Sequence, residues 1–160
     1  MSFYDWLLFF HIAAAFALVA ALVVFWSVAV AARNVDRPAE SLRFFRVAQP
    51  AQVLIIVGTM GTLLFGIWLA IDADAYQVWD AWVLIALVLW AIAAGTGQRG
   101  GRTYNDARQL ATQLAAEGRG EEPSAELKTR LGDRTAMWLN IASSVAVLLI
   151  LIDMIWKPGH

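Results

Sequence analysis

Four long stretches of the chain are almost free of charged residues, and the charged residues gather between them. The first stretch, residues 6–32, exceeds the roughly 20 residues that a helix needs to cross a hydrocarbon core of about 30 Å. The others lie at about 53–71, 79–95 and 136–155. Because backbone groups cannot hydrogen-bond to lipid, segments of this length cross the bilayer as α-helices. The pattern predicts an all-α, four-transmembrane-helix bundle, one integral membrane domain over residues 1–160.

The basic residues are divided unevenly among the connections. Arginine or lysine occurs in the first and third connections, whereas the second contains Asp72 and Asp74 and no basic residue. The positive-inside rule then makes the first and third connections cytoplasmic and both termini external (N-out/C-out). We expect a multi-pass protein of a bacterial inner (plasma) membrane. Five tryptophans would form an aromatic belt at the outer interface: Trp6, Trp68, Trp79, Trp82 and Trp156.

The third connection, residues 96–135, also has a helical pattern. Apolar residues recur at helical spacing between Tyr104 and Leu114. Gly118 is a predicted C-cap, and Ser124 is a predicted N-cap of a short second helix that ends near Gly132. We therefore expect a helical cytoplasmic loop, a solvated extension of span three that folds back toward span four.

In the first connection, Phe44 and Phe45 of the segment SLRFFR predict a short anchor at the membrane interface. Pro50 is expected near the start of the second helix, where proline is tolerated.

Composition narrows the class of protein. Hydrophobic residues make up 60% of the chain and charged residues 16%, against about 25% charged in soluble domains. The lipid bilayer is therefore an expected partner. A net charge of −1 gives no support for nucleic-acid binding, which needs a basic face. The absence of cysteine excludes disulfides, thiolate metal sites and covalent c-type haem.

One ionisable side chain, His11, interrupts the first span; the only other histidine is the terminal His160. Ionisable groups inside a membrane are costly, so His11 is a candidate functional residue. At 1.5 Å per residue it lies about 7–8 Å below Trp6. Asp153 and Met154 of span four have a similar depth, and Met60 of span two lies deeper.

Three roles for His11 are open. In the first it packs, with its ring hydrogen-bonded to a carbonyl or to Asp153. In the second it is an axial ligand of haem b, with Met154, no second ligand, or His11 of another protomer opposite. Asp153 would then be the acceptor that orients the ring from behind. In the third, His11 binds copper or relays protons with Asp153.

Glycines give span two a small face. Gly58, Gly61 and Gly66 allow a neighbouring helix to approach closely. Packing is the favoured role, and the alternative is room for a flat ligand such as a porphyrin or a quinone.

Two short motifs resemble a known family. Phe10–Ile12 followed by small residues, and the segment GTLLFGIWLA at Gly61–Ala70, are similar to the CopD-like group of small four-helix membrane proteins. That group includes copper-resistance D proteins, HemJ-type protoporphyrinogen oxidases and uncharacterised integral membrane proteins. In span count and order the resemblance covers the whole chain. A first-span histidine is implicated in haem binding in HemJ-type enzymes, and the resemblance implies this role for His11.

The sequence thus favours a small haem-b-binding, cytochrome-like membrane protein in electron transfer or a redox complex. The expected partners are a second copy of the chain or a larger membrane redox complex. The alternatives are a non-catalytic scaffold or accessory subunit with a structural His11, and a copper- or proton-handling membrane protein. Whether the protein is an enzyme stays open.

The charge asymmetry makes a testable prediction of topology. Because the chain has no cysteine, a single introduced thiol reports its own location. A cysteine at Ala75 should react with a membrane-impermeant thiol reagent in intact cells, and one at Gly118 should not. The reverse labelling pattern would overturn the orientation.

Overall fold

The computed structural model describes residues 2–72 and 79–157, which form five helices and, within these ranges, no strand. The helices are α1 (Phe3–Ala32), α2 (Pro38–Asp72), α3 (Ala81–Ala116), α4 (Ala125–Leu131) and α5 (Arg134–Trp156). The all-α prediction is confirmed. The connection between α2 and α3, predicted to face outward, falls mostly in residues 73–78, outside the described residues, as does His160.

The long helices are apolar on nearly every side. Four helical segments are long and apolar enough to cross a membrane, and at most 22% of the most apolar 18-residue stretch of each is buried within the protein. A helix that is apolar all round without being buried by protein needs lipid around it. The chain is therefore a multi-pass integral membrane protein with four spans.

The spans are arranged as two antiparallel hairpins. In the first, the start of α1 meets the end of α2, where Phe3 and Trp68 have ring centroids 5.5 Å apart. In the second, the start of α3 meets the end of α5, where the Lys157 Nζ lies 5.5 Å from the centroid of the Trp82 ring.

Two tryptophan side chains join these hairpins into a four-helix bundle. The indole of Trp90 on α3 donates to the carbonyl of Thr59 on α2 at 3.1 Å. The indole of Trp26 on α1 donates to the hydroxyl of Ser144 on α5 at 2.8 Å. Each bond satisfies a polar group that lipid cannot satisfy.

Buried residues recur every seven positions along two of the helices. A seven-residue repeat keeps one seam of a helix facing its neighbour in left-handed packing. On α1 the series runs through Leu18, Phe25 and Ala32, all buried. On α3 the buried series is Ala86, Ala93, Gly100, Ala107 and Leu114.

The glycines of α2 let α1 approach its backbone. A Cβ added at Gly58 would lie 2.9 Å from the Cβ of Leu18 and 3.0 Å from the carbonyl oxygen of Ala14. A Cβ added at Gly61 would lie 2.9 Å from the Cβ of Ala14. The face next to these glycines is thus filled by α1, as expected for packing.

A small core lies outside the predicted spans, at the end of the bundle that carries the first and third connections (the basic end). It consists of Phe45, Ala107, Ala111 and Leu127, which are 0–4% exposed. Two backbone hydrogen bonds tie the third connection to the first: Ala39 N–H donates to Gly120 at 2.9 Å, and Ser124 N–H donates to Asp36 at 2.8 Å.

This core explains where the helices differ from prediction. The helix expected from about residue 53 begins at Pro38 and continues through Pro50, so Pro50 is interior rather than near the start. The helix of the third span continues beyond its apolar stretch to Ala116, as the expected extension into the third connection requires. Phe45 is buried against Tyr104, with centroids 4.8 Å apart, and is not an interfacial anchor. Packing outside the bilayer extends both helices beyond their apolar stretches.

The predicted caps of the third connection are confirmed. Gly118 has a φ of +79°, which a residue without Cβ adopts at low cost. Beside it, Arg119 N–H donates to the Leu114 carbonyl at 2.9 Å, and Gly118 N–H donates to that of Ala115 at 3.2 Å. These two bonds form a Schellman motif that ends α3. The Ser124 hydroxyl accepts from Leu127 N–H at 3.2 Å and begins α4, whose C-cap is Gly132.

The tryptophans of the predicted belt differ in exposure. Four members are 47–75% exposed: Trp6, Trp68, Trp79 and Trp156. Trp82 instead is 7% exposed because it packs within the α3/α5 hairpin, beneath Lys157.

The glycine contacts predict opposite effects for the same substitution at two positions. Gly61→Leu should destabilise the protein by about 1–3 kcal/mol because its side chain must displace α1. Gly95→Leu is the matched control: a Cβ there meets nothing within 4 Å, and leucine is the better helix former. Thermal unfolding in detergent measures both. Equal stability of Gly61→Leu and the parent would contradict the close approach of α1 and α2.

Candidate functional site around His11

The position of His11 is set by the start of α1 and by its packing seam. Ser2 and Asp5 form a reciprocal capping box, with Ser2 N–H donating to Asp5 Oδ2 at 2.6 Å and Asp5 N–H donating to Ser2 Oγ at 3.2 Å. His11 lies seven residues before Leu18, so it continues the α1 seam toward α2. The ring is held on the face that contacts α2.

One hydrogen bond orients the ring. Nδ1 of His11 lies 3.1 Å from the carbonyl oxygen of Thr62 on α2. A carbonyl oxygen only accepts, so Nδ1 carries the proton and donates. In a neutral imidazole the lone pair is then on Nε2. The contact therefore selects the tautomer in which Nε2 carries the lone pair.

Gly66 provides the space for the ring. A Cβ added at Gly66 would lie 3.0 Å from His11 Cε1 and 3.2 Å from Nδ1. Contacts this short would push the imidazole away from α2 and from the Thr62 carbonyl. Gly66 thus contributes to the candidate site by letting the ring lie against the helix, one turn after Thr62.

Aromatic side chains surround this end of the α1/α2 hairpin. Phe10 stacks on Phe65 with ring centroids 5.4 Å apart and planes at 22°. Trp6 stacks on Phe10 at 6.0 Å. Phe10 is 43% exposed and His11 is partly buried, so the site lies beside an apolar surface of the hairpin.

The other candidate residues lie on different elements. Asp153 is 6% exposed on α5, and its Oδ2 has no hydrogen-bond partner in the described part of the chain. The Nδ1 proton of His11 goes to Thr62, so the acceptor role expected of Asp153 is filled by a backbone carbonyl. Met154 is partly buried on α5, and Met60 is 42% exposed on α2.

The polar bonds between α1 and α5 lie toward the basic end. Trp26 bonds to Ser144, and Arg33 Nη1 donates to the sulfur of Met137 at 2.6 Å. The hydrogen bond and glycine contact of His11 are with α2 alone. The site is therefore built by the first hairpin.

Sequence reasoning missed Thr62, because a backbone carbonyl leaves no signature in residue type. The seven-residue spacing from His11 to Leu18, Phe25 and Ala32 was the available signal: it places the imidazole on the buried seam. The small residue Gly66, four residues after Thr62, marks where a ring fits beside α2.

Across residues 2–72 and 79–157, no group of three or more His, Cys, Asp or Glu side chains comes together to hold a metal ion. Comparisons of the chain with protein-family models, curated proteins and solved structures gave no match.

The hydrogen bond to Thr62 predicts one tautomer of His11. Nitrogen-15 NMR of a His160→Gln variant, which contains a single imidazole, should show a protonated Nδ1 and a non-protonated Nε2. Gly66→Ala should alter these signals because its Cβ would displace the ring. A protonated Nε2 in the His160→Gln protein would contradict the bond to Thr62.

Proposed function

We propose that the protein binds haem b through Nε2 of His11 and works in electron transfer or as a subunit of a membrane redox complex. The observation that carries the proposal is the hydrogen bond from Nδ1 to the Thr62 carbonyl. Haem- and metal-ligating histidines generally donate their other ring N–H to a fixed acceptor, which orients the ring and raises its basicity. The donor atom is therefore prepared before any ligand arrives.

The residues present fit the requirements of a haem better than those of a bare metal ion. A porphyrin supplies four of the iron ligands, so the chain needs to contribute only one or two. This agrees with a single imidazole and with the lack of a three-residue cluster in the described residues. The aromatic surface formed by the exposed Trp6 and Phe10 and the partly buried Phe65 is the apolar environment that a porphyrin face prefers.

Bound haem would supply an iron that gains and loses one electron. The chain has three tasks: His11 donates the Nε2 lone pair, Thr62 holds the tautomer, and the aromatic surface excludes water. Low polarity around the iron and the identity of the axial ligands set the potential of such a centre.

The location of His11 on the first hairpin favours one of the candidates for the second ligand of the haem iron. Met154 would have to reach the ring from α5, and Met60 would have to turn from its exposed position on α2. His11 of a second protomer needs neither of these methionine movements, and His11 is only partly buried. A bis-histidine haem between two copies is the arrangement that the observed exposure favours.

The rival proposal is a non-catalytic scaffold or accessory subunit in which His11 only packs. It is favoured by the same hydrogen bond, since the Thr62 carbonyl satisfies one nitrogen of a ring partly buried among apolar groups. The two proposals differ in the task of Nε2: the scaffold gives it none, and the haem protein makes it a ligand.

An absorption spectrum with a haem-to-protein ratio separates them. Protein expressed with ample haem should show a Soret band, and His11→Ala should lose it because the axial ligand is gone. Added imidazole should restore absorbance in His11→Ala, since a free ring can replace a ligand but not a packing contact. His160→Ala is the matched control and should keep its haem. A colourless parent that also fails to take up added haemin would contradict the proposal.

The same spectra identify the second ligand. If it is Met154, Met154→Ala should convert a six-coordinate spectrum to a five-coordinate one. If it is His11 of a second copy, that variant should be unchanged and haem content should approach one per two chains.

A further inference from the structure

A cavity at the basic end of the bundle is separate from the His11 site. It has a volume of about 50 Å³ and lies between α1, α3, α4 and α5. Its polar lining comes mainly from Arg33, Tyr104, Arg130, Asp133 and Asn140, and Trp26 forms part of the apolar wall. A volume of this size accommodates several water molecules or one tetrahedral oxyanion.

The hydrogen-bond donors of this cavity exceed the acceptors that the described chain offers them. Within the described residues, the Arg33 side chain makes one hydrogen bond, to the sulfur of Met137, and a thioether is a weak acceptor for a guanidinium with five N–H groups. The hydroxyl of Tyr104 is buried and has no hydrogen-bond partner within the described residues. Buried polar groups normally have partners, so the Tyr104 hydroxyl suggests an absent acceptor, and the partly buried Arg33 in the same cavity wall has donors to spare.

The lining contains two guanidinium groups, and one of them, Arg33, pairs with no carboxylate within the described residues. Arg130 forms an ion pair with Glu126, and Asp133 adds one negative charge. The Asp133 carboxylate is engaged as the N-cap of α5, where its Oδ1 accepts from Thr135 N–H at 2.8 Å. Arg130 gives Nη2 to Glu126 at 2.8 Å and keeps its other donors. Guanidinium groups bind phosphate oxygens strongly and with defined geometry.

The position of the cavity identifies the source of the phosphate. On α1 the lining runs from Trp26, within the first span, to Arg33, just after its end. On α5 it runs from Asp133 to Asn140, across the predicted start of the fourth span. The cavity therefore lies at headgroup depth, and Val30 in its wall is 57% exposed on the lipid-facing surface.

We propose that this cavity binds the phosphate of an anionic phospholipid, with Arg33 and Tyr104 as its principal donors. Basic pockets between transmembrane helices on the cytoplasmic side are known to bind such headgroups. The Tyr104 ring is fixed for this role by Phe45 at 4.8 Å and by Phe25 at 5.3 Å. The lipid would then join α1, α3 and α5 at the end opposite to His11.

Thermal unfolding of the delipidated full-length protein tests the site. Titration with phosphatidylglycerol should raise the Tm, since a ligand of the folded state stabilises it, whereas phosphatidylcholine should not. Arg33→Gln should weaken the apparent lipid affinity about tenfold, and Tyr104→Phe about fivefold. Arg43→Gln, at an exposed arginine of the same end that does not line the cavity, should change nothing.

Tyr104→Phe keeps the test decisive if Arg33→Gln does not fold. Without lipid its Tm should equal or exceed that of the parent, because a buried hydroxyl without a partner is removed. A lowered Tm with an unchanged lipid response would mean that the hydroxyl serves packing alone, which overturns the proposal. If Arg43→Gln weakens the apparent lipid affinity as much as Arg33→Gln does, the lipid responds to the general surface charge of this end and the proposal is wrong. If inorganic phosphate raises the Tm to saturation and phosphatidylglycerol does not raise it, the ligand is free phosphate and the lipid proposal is wrong.

Discussion

Inside a bilayer two apolar helices gain little by exchanging lipid for each other, so their association depends on how closely the backbones approach. The α1/α2 hairpin meets this constraint at Gly58 and Gly61, where a Cβ would lie 2.9 Å from side-chain atoms of α1. Between α3 and α5 the same role falls to Gly100, which contacts the Asn140 side chain, and to Gly97, where a Cβ would lie 2.9 Å from Ser143 Oγ. Without these approaches the polar contacts between helices would lose their geometry.

A different force acts at the basic end, where the helices leave the bilayer. There water surrounds the chain and the hydrophobic effect rewards burial. Phe45 and Leu127 are almost fully buried at this end, unlike the many exposed leucines and valines of the spans. The extensions of α2 and α3 and the whole of α4 belong to this second regime. The protein is thus one chain held together by lipid-phase packing along its length and by an aqueous core at one end.

The sequence predicts those features of this structure that depend on local residue type, and it misses those that depend on contacts between distant residues. Long apolar runs reveal the four spans, and Gly118 and Ser124 reveal the caps, because each depends on local chemistry. The continuation of α2 back to Pro38 was not predicted, since it depends on Phe45 meeting a core built by distant residues. At the candidate site, His11 could be singled out because ionisable groups are rare in spans. Its partner, the Thr62 carbonyl, could not be, because every residue carries a carbonyl.

The polar groups of the bundle are of two kinds: most use their hydrogen-bonding capacity within the protein, and a few keep part of it for a ligand. Within the spans, hydroxyl and indole groups mostly bond to backbone carbonyls, as Trp90 does to Thr59 and Ser143 does to Ala93. Such bonds use up their donors and leave nothing for a ligand. His11 differs because an imidazole has two nitrogens: one satisfies the helix and the other stays available. Arg33 differs because five donors meet one weak acceptor. The two side chains lie toward opposite ends of α1, so ligand binding at either end depends on the packing of the same helix.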